Sequence, residues 1–149
     1  MTRVALDSNI LIYAELEPES VKGRRAAELI LLSARDGVIA IQVLGEYLRF
    51  VQRRAPGAFD DALRQSEVYK ATFLTPATTT EVFAAATVLA SDHKLQLWDG
   101  VVCAASSQAG AKVLLSEDMQ DGRMLGTMRI VNPFAQSNVN AIEYLLGET

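Results

Sequence analysis

Short apolar runs alternate along this chain with longer stretches in which apolar residues recur every three or four positions. Arg3–Leu6, Gly37–Ile41, Phe73–Thr75, Leu95–Trp98 and Lys112–Leu115 read as strands, and Arg129–Val131 as a short edge piece ended by Asn132-Pro133. Between them Ser20–Arg35, Gln42–Arg54, Phe59–Lys70, Thr79–His93 and Gly100–Ala109 carry helical spacing. Strands separated by helices of this length predict crossover units. The fold class expected is therefore α/β: a three-layer α/β/α sandwich around a central parallel sheet. A last helix is expected over 138–146, with Val139, Ile142, Leu145 and Leu146 as an apolar stripe that either covers the chain's own sheet edge or joins a second chain.

Composition narrows this picture. The 149 residues, half of them apolar, contain no repeat or linker, so one domain over 1–149 is expected, burying roughly 70% of its unfolded surface. The single cysteine, Cys103, lies among Val101, Val102, Ala104 and Ala105 and reads as a buried core thiol. With one cysteine and one histidine, His93, a thiolate–imidazole zinc site has too few ligands. The N-terminal apolar stretch is cut by Asp7 and no run reaches membrane-spanning length, so a cytoplasmic protein with no membrane partner is expected. The net charge of −4 argues against a surface dominated by nonspecific nucleic-acid binding, but leaves nucleic acid open as a substrate.

The candidate chemistry lies in the acids. Asp7 follows the first strand, Asp99 the fourth, and Asp118 lies just past the fifth. Carboxyl ends of parallel strands share one edge, where ligands bind. Glu46, one turn into the helix over 42–54, reaches the same height on the polar side with Gln42, Arg49 and Arg53. The competing readings are helix caps for the aspartates and a solvated Glu46 paired with Arg49 or Arg53. Two carboxylates 4 Å apart repel by about 4 kcal/mol at an effective dielectric near 20. Four together need protons or cations, and a hard divalent ion such as Mg²⁺ or Mn²⁺ suits oxygen ligands. Such an ion activates water toward a phosphodiester without a histidine base. His93 is accordingly read as a helix-end surface residue.

Several of these segments resemble PIN-domain ribonucleases. They are Val4-Ala5-Leu6-Asp7-Ser8-Asn9-Ile10-Leu11, Leu97-Trp98-Asp99-Gly100-Val101-Val102, and the stretch from Val113 through Ser116, Asp118 and Asp121 to Gly122. Gln42-Val43-Leu44-Gly45-Glu46 matches the region supplying the helical glutamate, and Ile130-Val131-Asn132-Pro133-Phe134 is similar to the ending of the VapC toxin branch. The resemblance covers about residues 3–134. It implies a Mg²⁺-dependent endoribonuclease leaving 3′-hydroxyl and 5′-phosphate ends, a small antitoxin partner inserted above the acids, and a homodimer. Asp7, Glu46, Asp99 and Asp118 are then the metal-binding acids. Ser116 supports the site where relatives often have Thr, and Asp121 is a further acid whose share relative to Asp118 stays open. Gly100 stands where Ala is usual, which is expected to loosen the helix start slightly.

Among the supporting residues, Asn9 is expected to cap the first helical turn and Ser8 to bond a carboxylate. Arg49, Arg53 and Arg54 are candidates to track RNA phosphates and Trp98 to stack on a base; a solvated helix face and a core or rim tryptophan are the alternatives. Competing functions are another metal-dependent phosphoesterase, either a DNA nuclease or a phosphatase, and a non-catalytic phosphate-binding module. The phosphatase Asp-x-Asp is broken by Asn9, no lysine follows the last strand as a receiver domain wants, and no glycine-rich turn follows the first strand.

Overall fold

The computed structural model describes residues 2–147; Met1, Glu148 and Thr149, the ends of the domain expected over 1–149, lie outside the described residues. The elements in chain order are β1 (Val4–Leu6), α1 (Ser8–Leu16), α2 (Val21–Ser33), α3 (Ile41–Arg54), α4 (Phe59–Thr72), α5 (Thr80–His93), α6 (Leu97–Gln108), β2 (Val113–Leu115), β3 (Met124–Leu125), β4 (Met128–Val131) and α7 (Val139–Gly147). The strands run β1-β2-β4-β3, parallel except for the β3–β4 hairpin. That hairpin turns on Gly126-Thr127, with Gly126 at φ 62°, the left-handed geometry tight hairpins require. Beyond β1 the sheet continues through single parallel bridges from Ala5 to Val38 and from Val38 to Leu74.

The central strands Val4-Ala5-Leu6 and Leu114-Leu115 are buried, and Ile10, Leu11, Val43, Tyr47, Val102 and Ile130 pack around them. This is the continuous apolar pattern of a sheet covered on both faces. Cys103 is fully buried, as expected, with its Sγ 3.7 Å from the Met119 sulfur.

Four strand expectations need correction. The segments over 37–41 and 73–75 shrink to one bridge each at Val38 and Leu74; α3 begins at Ile41, which stops the first from extending. The segment over 95–98 is not a strand. Leu95-Gln96-Leu97 imitates alternation over too few residues to discriminate. In fact Lys94 ends α5 in the left-handed region (φ 59°), and the Gln96 side chain accepts the Asp99 N–H at 3.1 Å, starting α6 at Leu97. β4 is an interior strand; β3 forms the edge. The chain after Asp7 forms a full helix, α1, which the periodicity did not separate from β1.

Gly100 is a packing device rather than a loosened start. A Cβ there would lie 2.9 Å from the Ala86 carbonyl oxygen, so the glycine lets α6 lie directly against α5. Half of the stripe on α7 is consumed within the chain: Ile142 and Leu146 are buried, Val139 and Leu145 half-buried, and Tyr144 is 73% exposed. No helix among the described residues is long and apolar enough to cross a membrane.

Candidate active site

Asp7 ends β1 and starts α1. Its N–H donates to the Leu115 carbonyl at 3.0 Å, continuing the β1–β2 pairing to the sheet's tip. Its Oδ1 accepts the Ser8 N–H at 2.8 Å and its Oδ2 accepts the Ser116 hydroxyl at 2.7 Å. Ser8 thus bonds a carboxylate as expected, through its backbone, and Ser116 supports the site from β2's end. Asp7, rather than Asn9, is the cap of α1.

Asn9 has a different task. Its side-chain amide donates to Asp118 Oδ2 at 3.2 Å, and its oxygen accepts the Glu117 N–H at 3.3 Å. The loop after β2 is thereby clamped to α1 with Asp118 facing the cleft. Glu117, beside it, accepts the Tyr13 hydroxyl and pairs with Lys22, whose ammonium lies 5.2 Å from the Tyr13 ring centre and 5.7 Å from that of Phe134. Sequence reading missed this Tyr13–Glu117–Lys22 lock, because its members lie up to 104 residues apart. The one local signal was the i, i+4 spacing of Asn9 and Tyr13 on a single helix face.

Asp99 sits in the first turn of α6 rather than at a strand end, and Gln96 is that helix's cap, which removes the capping explanation for Asp99. Glu46 lies on α3 with no ion pair to Arg49 or Arg53; among the described residues none of Arg49, Arg53 and Arg54 pairs with an acid. The solvated-pair explanation for Glu46 therefore fails as well.

The electrostatics follow from burial and shared charge. Burial lifts Asp7 from 3.8 to about 6, against the pull of its Ser116 and Ser8 hydrogen bonds, with Asp99 and Asp118 adding to the rise. Glu46 is raised from 4.5 to about 7, by burial first and then by the charge of Asp7, while Gln42 opposes and Asp99 and Asp118 contribute. Asp99 is raised by burial and by Asp118. Cys103, beneath the site, is pushed up to about 12, by burial first and then by Asp7 and Asp99. Asp7, Glu46 and Asp99 are thus each raised in part by neighbouring acids, Asp118 among them. They do not close on a point: among the described residues no three Asp, Glu, His or Cys side chains are gathered tightly enough to cage an ion.

Asp121 is turned elsewhere. Its carboxylate accepts the Asn132 N–H at 2.8 Å and the Asn138 side chain at 3.0 Å, tying the loop after β2 to the chain leading into α7. His93 ends α5, half-buried, and its carbonyl accepts the Arg123 guanidinium.

Two clefts flank the acids and share Glu46 and Phe50. One, of about 450 Å³, is lined by Ser8, Asn9, Asp118 and the apolar Ile12, Tyr13 and Leu16. The other, of about 570 Å³, brings Arg49, Arg53, Arg54 and Trp98 together, uniting the residues proposed from sequence as nucleic-acid contacts. Phe50, on α3, is 39% exposed between the clefts.

No protein-family model matches the chain. Curated proteins yield no match either. Solved structures do. VapC20 of Mycobacterium tuberculosis, described as a Sarcin-Ricin loop cleaving toxin, aligns with TM-score 0.65 at 14% identity, over 77% of this chain and 91% of its own. A toxin–antitoxin complex from Klebsiella pneumoniae aligns at 0.66 and 18%, over 88% and 98%. VapBC2 from Rickettsia felis, solved on a DNA fragment from its promoter, aligns at 0.64 and 12%, over 88% and 98%. At these identities the likeness is one of architecture, and the chain has the mixed α/β fold of the VapC-type, PIN-domain toxins.

Proposed function

We propose that this chain is a divalent-metal-dependent endoribonuclease acting as the toxin of a toxin–antitoxin pair. The observation that carries the reading is the convergence of Asp7, Glu46, Asp99 and Asp118, whose charges help raise the proton affinity of Asp7, Glu46 and Asp99. The donor set is all carboxylate oxygen and lacks a pairing cation, which fits Mg²⁺ or Mn²⁺ better than a softer ion. Mg²⁺ commonly takes only one or two protein carboxylates and keeps several waters. Asp7, Asp99 and Asp118 would hold it, with Glu46 across the cleft; the engagement of Asp121 by Asn132 and Asn138 favours Asp118 of the two. Bound there, the ion supplies the positive charge that activates water and offsets charge on the leaving oxygen. The chain's own part is positional: Ser116 and the Ser8 N–H fix Asp7, Asn9 fixes Asp118, and Gln96 fixes the turn that presents Asp99.

RNA as the substrate and an antitoxin as the partner rest on the sequence motifs and on neighbours that are toxin–antitoxin complexes. The mostly apolar cleft of Ile12, Tyr13, Leu16 and Phe50 offers that partner a seat beside Glu46 and Asp118. A homodimer belongs to the same reading, with Ile142 and Leu146 of α7's stripe already buried within the chain. The test is incubation of pure protein with structured and single-stranded RNA in Mg²⁺, Mn²⁺, Ca²⁺ and chelator. Cleavage in Mg²⁺ or Mn²⁺, poor in Ca²⁺ and lost in chelator, is expected. Full cleavage in excess chelator overturns the metal mechanism, and inertness in every ion leaves a phosphate-binding module.

A further inference from the structure

Of the four acids, Asp118 alone is carried by a loop: Asp7 caps α1, Glu46 lies within α3 and Asp99 in α6. Asp118 is exposed, and the hydrogen bond it accepts from Asn9 is a long one at 3.2 Å. Where its carboxylate stands is therefore set by what holds the loop. At one end the Ser116 N–H donates to the Val131 carbonyl at 3.0 Å, and at the other Met119 is buried. Between these anchors Glu117 is tied twice. Its backbone N–H donates to Asn9, and its carboxylate accepts the Tyr13 hydroxyl and pairs with Lys22.

The side-chain tie is preassembled. Tyr13 stands edge-on to Phe134, ring centres 5.2 Å apart at 80°, and the Lys22 ammonium sits over both rings. That seat restrains a long, mobile side chain before it meets Glu117. A half-exposed lysine–glutamate pair ordinarily adds little to stability, so the fold alone gives this joint of α1, α2 and the loop small reason to exist. We propose that Lys22 and Tyr13 are positioning residues for the metal site: through Glu117 they hold Asp118 in the arrangement with Asp7 and Asp99 that receives a divalent cation. The inference rests on the metal-dependent reading of the site and extends the working parts to α2, which carries none of the four acids. Charge and position make opposite demands of Lys22. A lysine beside a carboxylate site repels an incoming cation, so charge alone would make Lys22→Met bind metal more tightly. Acting by position, its loss frees the loop, and binding weakens in spite of the repulsion removed.

The experiment titrates Mn²⁺ into the full chain without RNA and follows the free ion by its electron paramagnetic resonance signal. Groups that orient ligating carboxylates change metal affinity by about 10–100-fold, and Lys22 acts one residue away from the ligand, so Lys22→Met should bind about tenfold more weakly than the parent. Tyr13→Phe keeps the ring and every charge and should bind about three- to tenfold more weakly. Lys22→Arg keeps the ion pair and should stay within about twofold. In a Glu117→Ala background Lys22→Met should weaken binding no further, because the lysine acts through that glutamate. Each variant should melt within about 3 °C of the parent in chelator. In RNA cleavage, Lys22→Met should raise the Mg²⁺ needed for half-maximal rate while the rate at saturating Mg²⁺ stays within about twofold of the parent, a split that general loosening of the fold does not give. A Lys22→Met protein that binds Mn²⁺ as tightly as the parent or more tightly, or a Tyr13→Phe protein that binds it unchanged, overturns the lock; Asp7→Asn, weakened in the same titration, then shows that the metal site stands. If Lys22→Met does not fold, Tyr13→Phe decides alone. A parent that binds no Mn²⁺ overturns both the lock and the metal-dependent reading.

Discussion

Replacing Asp7 by Asn should make the metal-free protein more stable, and the size of the gain follows from the site. Asp7 is 4% exposed, so solvent screens its charge little. The rise of its pKa from 3.8 to about 6, at about 1.4 kcal/mol per pH unit, makes its ionised form about 3 kcal/mol costlier folded than unfolded. Asn keeps the shape and removes the charge, but its amide must donate toward Ser116 where Asp7 accepts, which costs about 1–2 kcal/mol. The net gain is about 1–2 kcal/mol, or several degrees in Tm for a chain of this length. The sign with pH is distinctive. A raised acid destabilises fully above its folded pKa and not at all below its unfolded one. The advantage of Asp7→Asn should therefore be whole at pH 7.5 and fade between pH 6 and 4 as Asp7 of the parent takes up its proton. Mg²⁺ should raise the parent's Tm by mass action and the variant's less. Thermal melts of both proteins at pH 7.5 and 4, in chelator and in Mg²⁺, decide it. A variant less stable than the parent at pH 7.5 in chelator, or a gain unchanged at pH 4, would refute the reasoning.

Three further variants have defined outcomes. Asp99→Asn should cut RNA cleavage by orders of magnitude in a folded protein, since Gln96 and not Asp99 caps α6; His93→Ala should leave the rate within about twofold, and a large loss there with normal folding would reveal a missing base. Gly100→Ala should lower stability by about 1–2 kcal/mol in a denaturant melt: the gain in helix propensity is outweighed because the new Cβ meets the Ala86 carbonyl oxygen at 2.9 Å. An unchanged or raised midpoint would mean that α5 and α6 separate freely.

Two of the candidate acids were legible from where an apolar run stops: Asp7 directly follows buried β1, which leaves it little choice but the sheet's end, and Asp118 lies three residues past β2. Glu46 was legible from helical phase alone. Asp99 was found for a partly wrong reason: its preceding residues open a helix, and what fixes that is the Gln96 side chain bonding three residues ahead, which hydropathy does not register. Asn9 and the Tyr13–Glu117–Lys22 lock were hidden because their partners lie about a hundred residues away. Gly100 was misjudged because its value lies in another helix's carbonyl, which no local pattern contains.

The pairing of β1 with β2 also orders events in time. Residues 4–6 bridge nearby to Val38 but find their full strand partner at 113–115, and Asp7 meets Ser116 across 109 positions of chain. Closing so large a loop is entropically slow compared with forming the helices between, and contacts of this separation come late in folding. A chain synthesised through Asp99 already carries three of the four acids, yet lacks β2, the Ser116 hydroxyl and Asp118. Whatever chemistry the cleft performs is thus withheld from the growing polypeptide until its last quarter has been made and threaded beside its first strand.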